Sequence, residues 1–279
     1  MNENSQPKMP TFDSWLDEAT ATLKSAGIES ARLDAELILA HTLRQPRTYL
    51  HAHGDDTLSS KHADIAGARL QLRLNRTPIA YIIGHKEFYG RRFKTTPSAL
   101  IPRPESETII SELAKILPEN ASSLRLIDIG TGTGCLGITA KLEWPALDVT
   151  LIDNSVHALN LAKENAELFH ADVRCMKNDL LRGYGMPVDI VIANLPYVDD
   201  IWEVSPETSA EPPEALYSAN NGLSHIYRLL DQAAPLLRPG GYILLESDPR
   251  QRSEIIERAS NHGFVHKATE GYVTVFSRS

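Results

Sequence analysis

The sequence predicts an α/β protein: a mostly parallel sheet with helices on both faces, preceded by a small N-terminal helical domain. Three observations predict it. From residue 124 onward, short apolar runs alternate with helix-length amphipathic segments. A glycine-rich turn, Asp128-Ile129-Gly130-Thr131-Gly132-Thr133-Gly134, follows the first strong run and leads into a helical segment. The first 75 residues, by contrast, show only helical spacing. A length of 279 residues suits one main domain of roughly 150–200 residues and a smaller one. With 42% hydrophobic and 23% charged residues, neither disorder nor a fibrous repeat fits.

After a polar leader, Leu16, Ala19, Leu23 and Ala26 recur at helical spacing, and Gly27 stands where a C-cap glycine belongs. Leu33, Leu37 and Ala40 predict a second helix. Ile65, Ala68 and Leu72 predict a third, opened by Ser59 or Ser60 as N-cap. Residues 11–75 therefore read as a small helical bundle. From Pro78 the texture changes: Ile79-Ala80-Tyr81-Ile82-Ile83 is rich in β-formers, and Phe88 to Thr95 fits a hairpin turning near Gly90. Beyond this linker, Leu124 to Ile129, Asp148 to Ile152, Val188 to Ala193 and Tyr242 to Leu245 read as strands. Ser155 to Phe169 and Ser224 to Leu237 read as helices, and Tyr272 to Phe276 as the last strand. The expected boundaries are 1–76 for the helical domain, 77–104 for the linker and 105–279 for the main domain.

Several function classes are excluded at this level. A net charge of −8 gives no global pull toward nucleic acid or anionic membrane. Met1 to Pro10 has no apolar core of the signal-peptide type, so a cytoplasmic protein that engages no membrane is expected. The two cysteines, Cys135 and Cys175, are too few for a disulfide framework and lack metal-ligand spacing. His51 and His53 have no third ligand nearby, so no metal is expected. Arg91, Arg92 and Lys94 read as a solvated hairpin face.

The glycines let the backbone turn tightly and let a ligand approach it. Gly132, Gly134 and Gly137 also satisfy the dinucleotide spacing G-x-G-x-x-G, and Asp153 lies about twenty residues on, where a ribose-binding acid belongs. Two cofactors compete here. A pyrophosphate is a poor neighbour for the Asp128 carboxylate, whereas S-adenosylmethionine brings a sulfonium and an ammonium group, so charge favours S-adenosylmethionine. The plain structural alternative is a tight strand-to-helix turn, with Asp153 serving only as a helix N-cap.

The strand Val188 to Ala193 runs into Asn194-Leu195-Pro196-Tyr197, which puts a carboxamide, a constrained backbone and an aromatic ring at the rim of the same sheet. Such parts can hold a planar amino group. An amide or exocyclic amine nitrogen has a delocalised lone pair, so catalysis must come from positioning and electrostatics. The Asn194 oxygen and the Leu195 carbonyl can each accept one N–H, with Tyr197 packed on the flat face. Arg103 and Glu105 are further substrate-binding candidates, because Pro102 and Pro104 fix the backbone around them.

Together with Ile101-Pro102-Arg103-Pro104-Glu105-Ser106-Glu107, these residues resemble the protein-(glutamine) methyltransferase family that modifies peptide chain release factors. The likeness extends to Ala31 through Leu37, Tyr81 to Gly90, Glu211-Pro212 and Gly222-Leu223. It implies a class I methyltransferase domain, Rossmann-like with a seven-stranded sheet, behind an N-terminal helical domain that helps engage the protein substrate. It also implies S-adenosylmethionine at Gly130, Thr131, Gly132, Thr133, Gly134, Asp153 and Asn194, with Asp179 and Leu180 beside the adenine. Asn194, Leu195, Pro196 and Tyr197 become the glutamine-binding, catalytic segment. The implied partner is a class 1 release factor, methylated in its Gly-Gly-Gln loop by a monomer with no direct nucleic-acid contact.

Two departures stand out. Leu195 replaces the family's usual first proline and makes the segment locally similar to ribosomal RNA adenine dimethylases, so an adenine amino methyltransferase acting on RNA or DNA is the alternative. Glu246-Ser247-Asp248-Pro249 replaces a more usual Glu-Ile-Gly stretch, with Asp248 a candidate cap for the helix that follows. A noncatalytic cofactor-binding protein would keep the glycine loop but would have no use for Asn194 and Tyr197.

Overall fold

A computed structural model describes residues 9–117 and 124–279, so the leader Met1 to Lys8 lies outside the described residues. The chain divides into two compact units: Met1–Gly84 with Pro206–Ala210, and His85–Ser205 with Glu211–Ser279.

The first is helical. Helix α1 (Phe12–Ser25) begins at Thr11, which exchanges capping hydrogen bonds with Ser14, and buries Phe12, Trp15, Leu16, Ala19 and Leu23. Gly27 follows at φ +72°, as its position predicts. Helices α2 (Ala31–Leu43), α3 (Arg47–Ala52) and α4 (Ser60–Leu74, N-capped by Ser59) complete the layer. The buried faces of α2 and α4 differ in part from expectation: Ala40 is buried and Leu37 half-buried, but Leu33, Ile65, Ala68 and Leu72 are exposed, while Ala35, Ile38, Leu39 and Ala66 are buried. The cause is an ion pair inside the bundle. Arg73 on α4 donates from Nε to Asp34 Oδ2 on α2 at 2.7 Å, and both side chains are buried. Turning these two inward rotates the neighbouring leucines out.

Ile79–Ile83, read from the sequence as β-forming, is instead a short helix, α5. Pro78 opens it, Gly84 closes it at φ +77°, and Ile79 and Ile82 pack on the helical core; burial overrides a weak β preference.

The second unit starts with the expected hairpin, β1 (His85–Phe88) and β2 (Arg91–Lys94), turning through Tyr89 and Gly90 at positive φ. Its main sheet has seven strands: β3 (Arg125–Ile129), β4 (Asp148–Asp153), β5 (Arg174–Lys177), β6 (Val188–Asn194), β7 (Leu237–Glu246), β8 (Phe264–Glu270) and β9 (Val273–Arg278). They lie in the order β5-β4-β3-β6-β7-β9-β8. The first five in that order are parallel, and β9 pairs antiparallel with both β7 and β8.

Helices cover both faces. On one, α6 (Glu107–Ile116), α7 (Cys135–Glu143) and α8 (Val156–Leu168) pack on Leu126, Val149, Leu151 and Ile192. On the other, α9 (Ser224–Ala233) and α10 (Arg252–Asn261) pack on Ile127, Ile129, Val191 and Ile243. This alternation of inward residues along β3 is the period of two that a doubly covered strand requires.

Candidate active site

The strand order reverses between β3 and β6: the chain leaves β3 to form β4 on one side and returns to form β6 on the other. Carboxyl ends of parallel strands diverge at such a point and leave a crevice. A cavity of about 420 Å³ opens there. It is lined by Gly130, Thr131, Gly132, Thr133, Asp153, Asp179, Leu180, Asn194, Leu195, Pro196 and Arg103 among others; Gly134, Glu105 and Tyr197 are not on its wall.

The glycine loop is held from below. Gly130 and Thr131 both donate their N–H to the Ile152 carbonyl, at 2.8 and 3.0 Å. Gly130 and Gly132 take φ +70° and +55°, values L side chains rarely adopt. Gly134 serves packing: a Cβ there would come within 2.7 Å of Ile138 Cδ1. Gly137 does likewise, since its Cβ would fall 2.3 Å from Leu151 Cδ2.

Asp128 ties the loop to its helix. Its Oδ2 accepts from Thr131 Oγ1 at 2.6 Å and from Gly137 N at 3.0 Å, while its buried Oδ1 has no hydrogen-bond partner. Burial pushes this carboxyl up to about 6, although both hydrogen bonds pull the other way. Asp153 is not the N-cap of the helix after it. That cap is Ser155, which accepts from Ala158 N, and Asp153 instead accepts from Ser155 N at 2.8 Å and Gly132 N at 3.0 Å. A carboxylate has about four acceptor positions, so roughly two remain for ligand hydroxyls. Burial raises the Asp153 carboxyl too.

At the far end, Asp179 is ion-paired with Arg228, and Leu180 sits at φ +53° with its carbonyl held by the Asn178 side chain at 3.1 Å. His225, a lining residue that the sequence did not single out, bonds Ser218 through Nδ1, and burial lowers its pKa so that the ring is neutral at pH 7.

The wall charge identifies a ligand class. Asp153 and Glu214 line the cavity with Asp179, which Arg228 engages, and Asp128 lies buried beneath its loop. The lining guanidinium, Arg103, is engaged by buried Glu211 at 2.5 Å. Such a cavity accommodates a cation far better than a pyrophosphate. The observed residues therefore fit S-adenosylmethionine.

At the rim, Asn194 ends β6 directly beside Glu246, the last residue of β7. Asn194 Nδ2 donates to Ser106 Oγ at 3.0 Å, and Ser106 Oγ donates to Glu246 Oε2 at 2.5 Å. The Tyr197 hydroxyl donates to Glu246 Oε1 at 3.2 Å, and burial beside that carboxylate pushes its pKa well up, so the phenol stays neutral. Leu195 is buried, its Cδ2 only 3.0 Å from where a Cβ on Gly130 would stand. The tetrapeptide and the glycine loop thus pack directly on each other.

Three further supports complete the rim, of which the sequence reading missed Gln251. Gln251 donates to the carbonyls of Tyr197 and Asn221 at 2.8 and 2.6 Å. A Cβ on Gly222 would fall 1.9 Å from the Tyr197 carbonyl oxygen, so only glycine fits. Asp248 caps the turn Pro249–Gln251, as its position suggested. Among the described residues, no group of three or more His, Cys, Asp or Glu side chains could hold a metal ion.

Residues 14–84 match the PrmC N-terminal domain model and residues 107–210 the methyltransferase small domain model. A release factor glutamine methyltransferase of Deinococcus radiodurans is 37% identical over 84% of this chain and 85% of the relative. Those of Aliivibrio fischeri and Escherichia coli are 30% and 31% identical, over 93% and 89% of both chains. Among solved structures, a methyltransferase from Pyrococcus furiosus superposes with a TM-score of 0.53 at 21% identity, covering 76% of this chain and 98% of its own. The hMettl16 catalytic domain superposes at 0.51 and 15%, covering 79% and 82%. These two likenesses show the class I methyltransferase fold.

Proposed function

The chain belongs to the release factor glutamine methyltransferase family, and on that premise we propose that its cavity brings S-adenosylmethionine against a glutamine side chain presented at Asn194–Tyr197. The protein is an S-adenosylmethionine-dependent protein-glutamine N-methyltransferase. Its substrate is the glutamine of the Gly-Gly-Gln loop of class 1 release factors. The observation that carries the site assignment is that the acid-walled glycine loop and Asn194 open on one cavity.

Bound S-adenosylmethionine supplies a methyl group on a positively charged sulfur. The free acceptor positions of Asp153 suit ribose hydroxyls, a charge-assisted contact of roughly 1.5–3 kcal/mol. Asp179 and Leu180 suit the adenine end, and Gly130 to Thr133 let that ligand lie against backbone. The target amide nitrogen is a weak nucleophile, so the chain's task is orientation. Asn194 Oδ1 accepts one of its N–H groups and the Leu195 carbonyl the other, and Pro196 stiffens the backbone between them. Tyr197, anchored on Glu246 and carried by Gln251 and Gly222, holds this segment in place. Arg103, fixed by Glu211, and Glu105 next to it serve the substrate side.

We assign residues 1–76 to substrate engagement, 77–104 to a linker and 105–279 to catalysis. The active form is a monomer in the cytoplasm that makes no direct nucleic-acid contact; both cysteines are free, and among the described residues no helix is long and apolar enough to cross a membrane. The adenine reading raised by Leu195 is not favoured, since the relatives that match over most of the chain are glutamine methyltransferases. Mass spectrometry of a purified release factor incubated with the protein and S-adenosylmethionine is the test. One added methyl on the Gly-Gly-Gln glutamine is expected; methylation of adenine in ribosomal RNA or DNA instead would overturn the assignment.

A further inference from the structure

We propose that Ser106 and Glu246 are positioning residues that set which end of the Asn194 carboxamide faces the target nitrogen. The inference rests on the reading of Asn194 as an acceptor for the target N–H. A carboxamide has two ends of nearly the same shape and opposite chemistry, an oxygen that accepts and an NH2 that donates. A target nitrogen that carries two N–H groups needs the oxygen. Nothing in the shape of Asn194 makes that choice, so its neighbours must.

Those neighbours form a chain with a fixed direction. Glu246 is 1% exposed and forms no ion pair among the described residues; its carboxylate takes hydrogen bonds from Ser106 and Tyr197, and the Asn194 side chain also donates toward it, which favours the same amide orientation. Burial raises the Glu246 carboxyl, so the direction is that of its ionised form, which can only accept. The one hydroxyl proton of Ser106 is therefore committed to Glu246 Oε2, at 2.5 Å. With that proton spent, Ser106 Oγ has only lone pairs to offer Asn194, and the Asn194 group that can meet them, at 3.0 Å, is the NH2. Oδ1 then points away from Ser106 and remains free to accept. The direction of hydrogen bonding passes from Glu246 through Ser106 to Asn194.

Three elements converge on this carboxylate: the turn Pro104–Ser106 brings Ser106, β6 brings Asn194 and the segment after it brings Tyr197. The other titratable groups whose charge acts on this cluster are Glu105 on the same turn, Cys135, whose thiol burial holds at about 12, and, on Tyr197, Tyr272 and Arg103. The positive charge among them, Arg103, is engaged by Glu211 and forms no ion pair with Glu246. Reversal of the Asn194 amide would set its NH2 against the target N–H groups and leave a donor unpaired, a fault felt in the reaction and not in cofactor binding.

The test measures methyl transfer to a purified class 1 release factor by the full chain, with S-adenosylmethionine binding followed by calorimetry. Four variants suffice: Asn194→Ala as reference, Ser106→Ala, Ser106→Thr and Glu246→Gln, the last replacing an acceptor-only group by one that also donates. Ser106→Ala and Glu246→Gln are expected to lower kcat about ten- to a hundredfold, with KM for the release factor and Kd for S-adenosylmethionine within about threefold. Ser106→Thr, which restores the hydroxyl, is expected to turn over at least about tenfold faster than Ser106→Ala. Turnover by Ser106→Ala close to the parent's, with Asn194→Ala inactive, overturns this inference and leaves the site reading standing. So does Ser106→Thr no faster than Ser106→Ala, or a loss of cofactor binding that matches the loss of rate. Normal turnover by Asn194→Ala overturns the site reading itself.

Discussion

The two units bury carboxylates in opposite ways. In the helical unit, Asp34 meets Arg73 at 2.7 Å, and Glu36 meets Arg32 and Arg47 at 2.9 and 2.5 Å. Glu207 bonds Arg73 and Arg76 within the same unit. Burial alone would raise the carboxyls of Glu36 and Glu207, yet hydrogen bonds and charge from the arginines leave both below their ordinary values. At the strand ends of the sheet unit, Asp128, Asp153 and Glu246 receive only neutral donors, and burial leaves all three raised. The sheet unit can supply arginine where architecture needs it, as Arg103 does for Glu211. Paired carboxylates here hold elements together, whereas of the unpaired ones Asp153 lines the cavity, Asp128 lies beneath its loop and Glu246 stands behind the rim residues Ser106 and Tyr197.

This contrast can be broken experimentally. The largest effect should come from Arg73→Met, which strands Asp34 in the bundle and should cost about 3–5 kcal/mol of stability, with the double change Asp34→Leu, Arg73→Met recovering most of it. Urea unfolding midpoints measure both, and a single change costing under about 1 kcal/mol would break the comparison. On the sheet side the damage should appear in rate: Asn194→Ala is expected to slow methyl transfer at least about a hundredfold, near 2.7 kcal/mol, while still binding S-adenosylmethionine. Next, Asp153→Ala should weaken that binding roughly ten- to a hundredfold by calorimetry; an unchanged Kd in a folded variant would remove Asp153 from the site.

The smallest effect concerns pH and has a definite sign. Asp128 has a folded value near 6 against an ordinary 3.8, so the folded state holds the extra proton between these values. Its contribution to stability is complete below about pH 4 and is lost as pH rises through 6. A bound cation favours the ionised form, so affinity for S-adenosylmethionine should rise roughly three- to tenfold from pH 5 to pH 7, with proton release on binding. Titrations in two buffers of different ionisation enthalpy detect that release, and Asp128→Asn should flatten the trend.

What could be read from the sequence follows the distance over which each feature is built. The glycine loop with Asp153, and Asn194 to Tyr197, lie in short contiguous segments, and each carries its chemistry locally. Ser106 and Glu246 stand 88 and 52 residues from Asn194, and Gln251 stands 54 from Tyr197; no local pattern links them before the sheet does. The buried faces of α2 and α4 depart from apolar spacing because that spacing treats Asp34 and Arg73 as surface residues, whereas each cancels the other's burial cost. Strands β5 and β8 gave no signal: both are edges of the sheet, and most of their side chains face solvent.

The acid wall of the cavity has a consequence for turnover. Methyl transfer converts a cationic sulfur into a neutral thioether, while the carboxylates of Asp153 and Glu214 stay on the wall. The attraction that holds the reactant is thereby reduced by one unit of ligand charge, worth on the order of 1 kcal/mol or more in so buried a place. S-adenosylhomocysteine is therefore expected to bind more weakly than S-adenosylmethionine by about that amount, and calorimetric titration of the two ligands measures the difference.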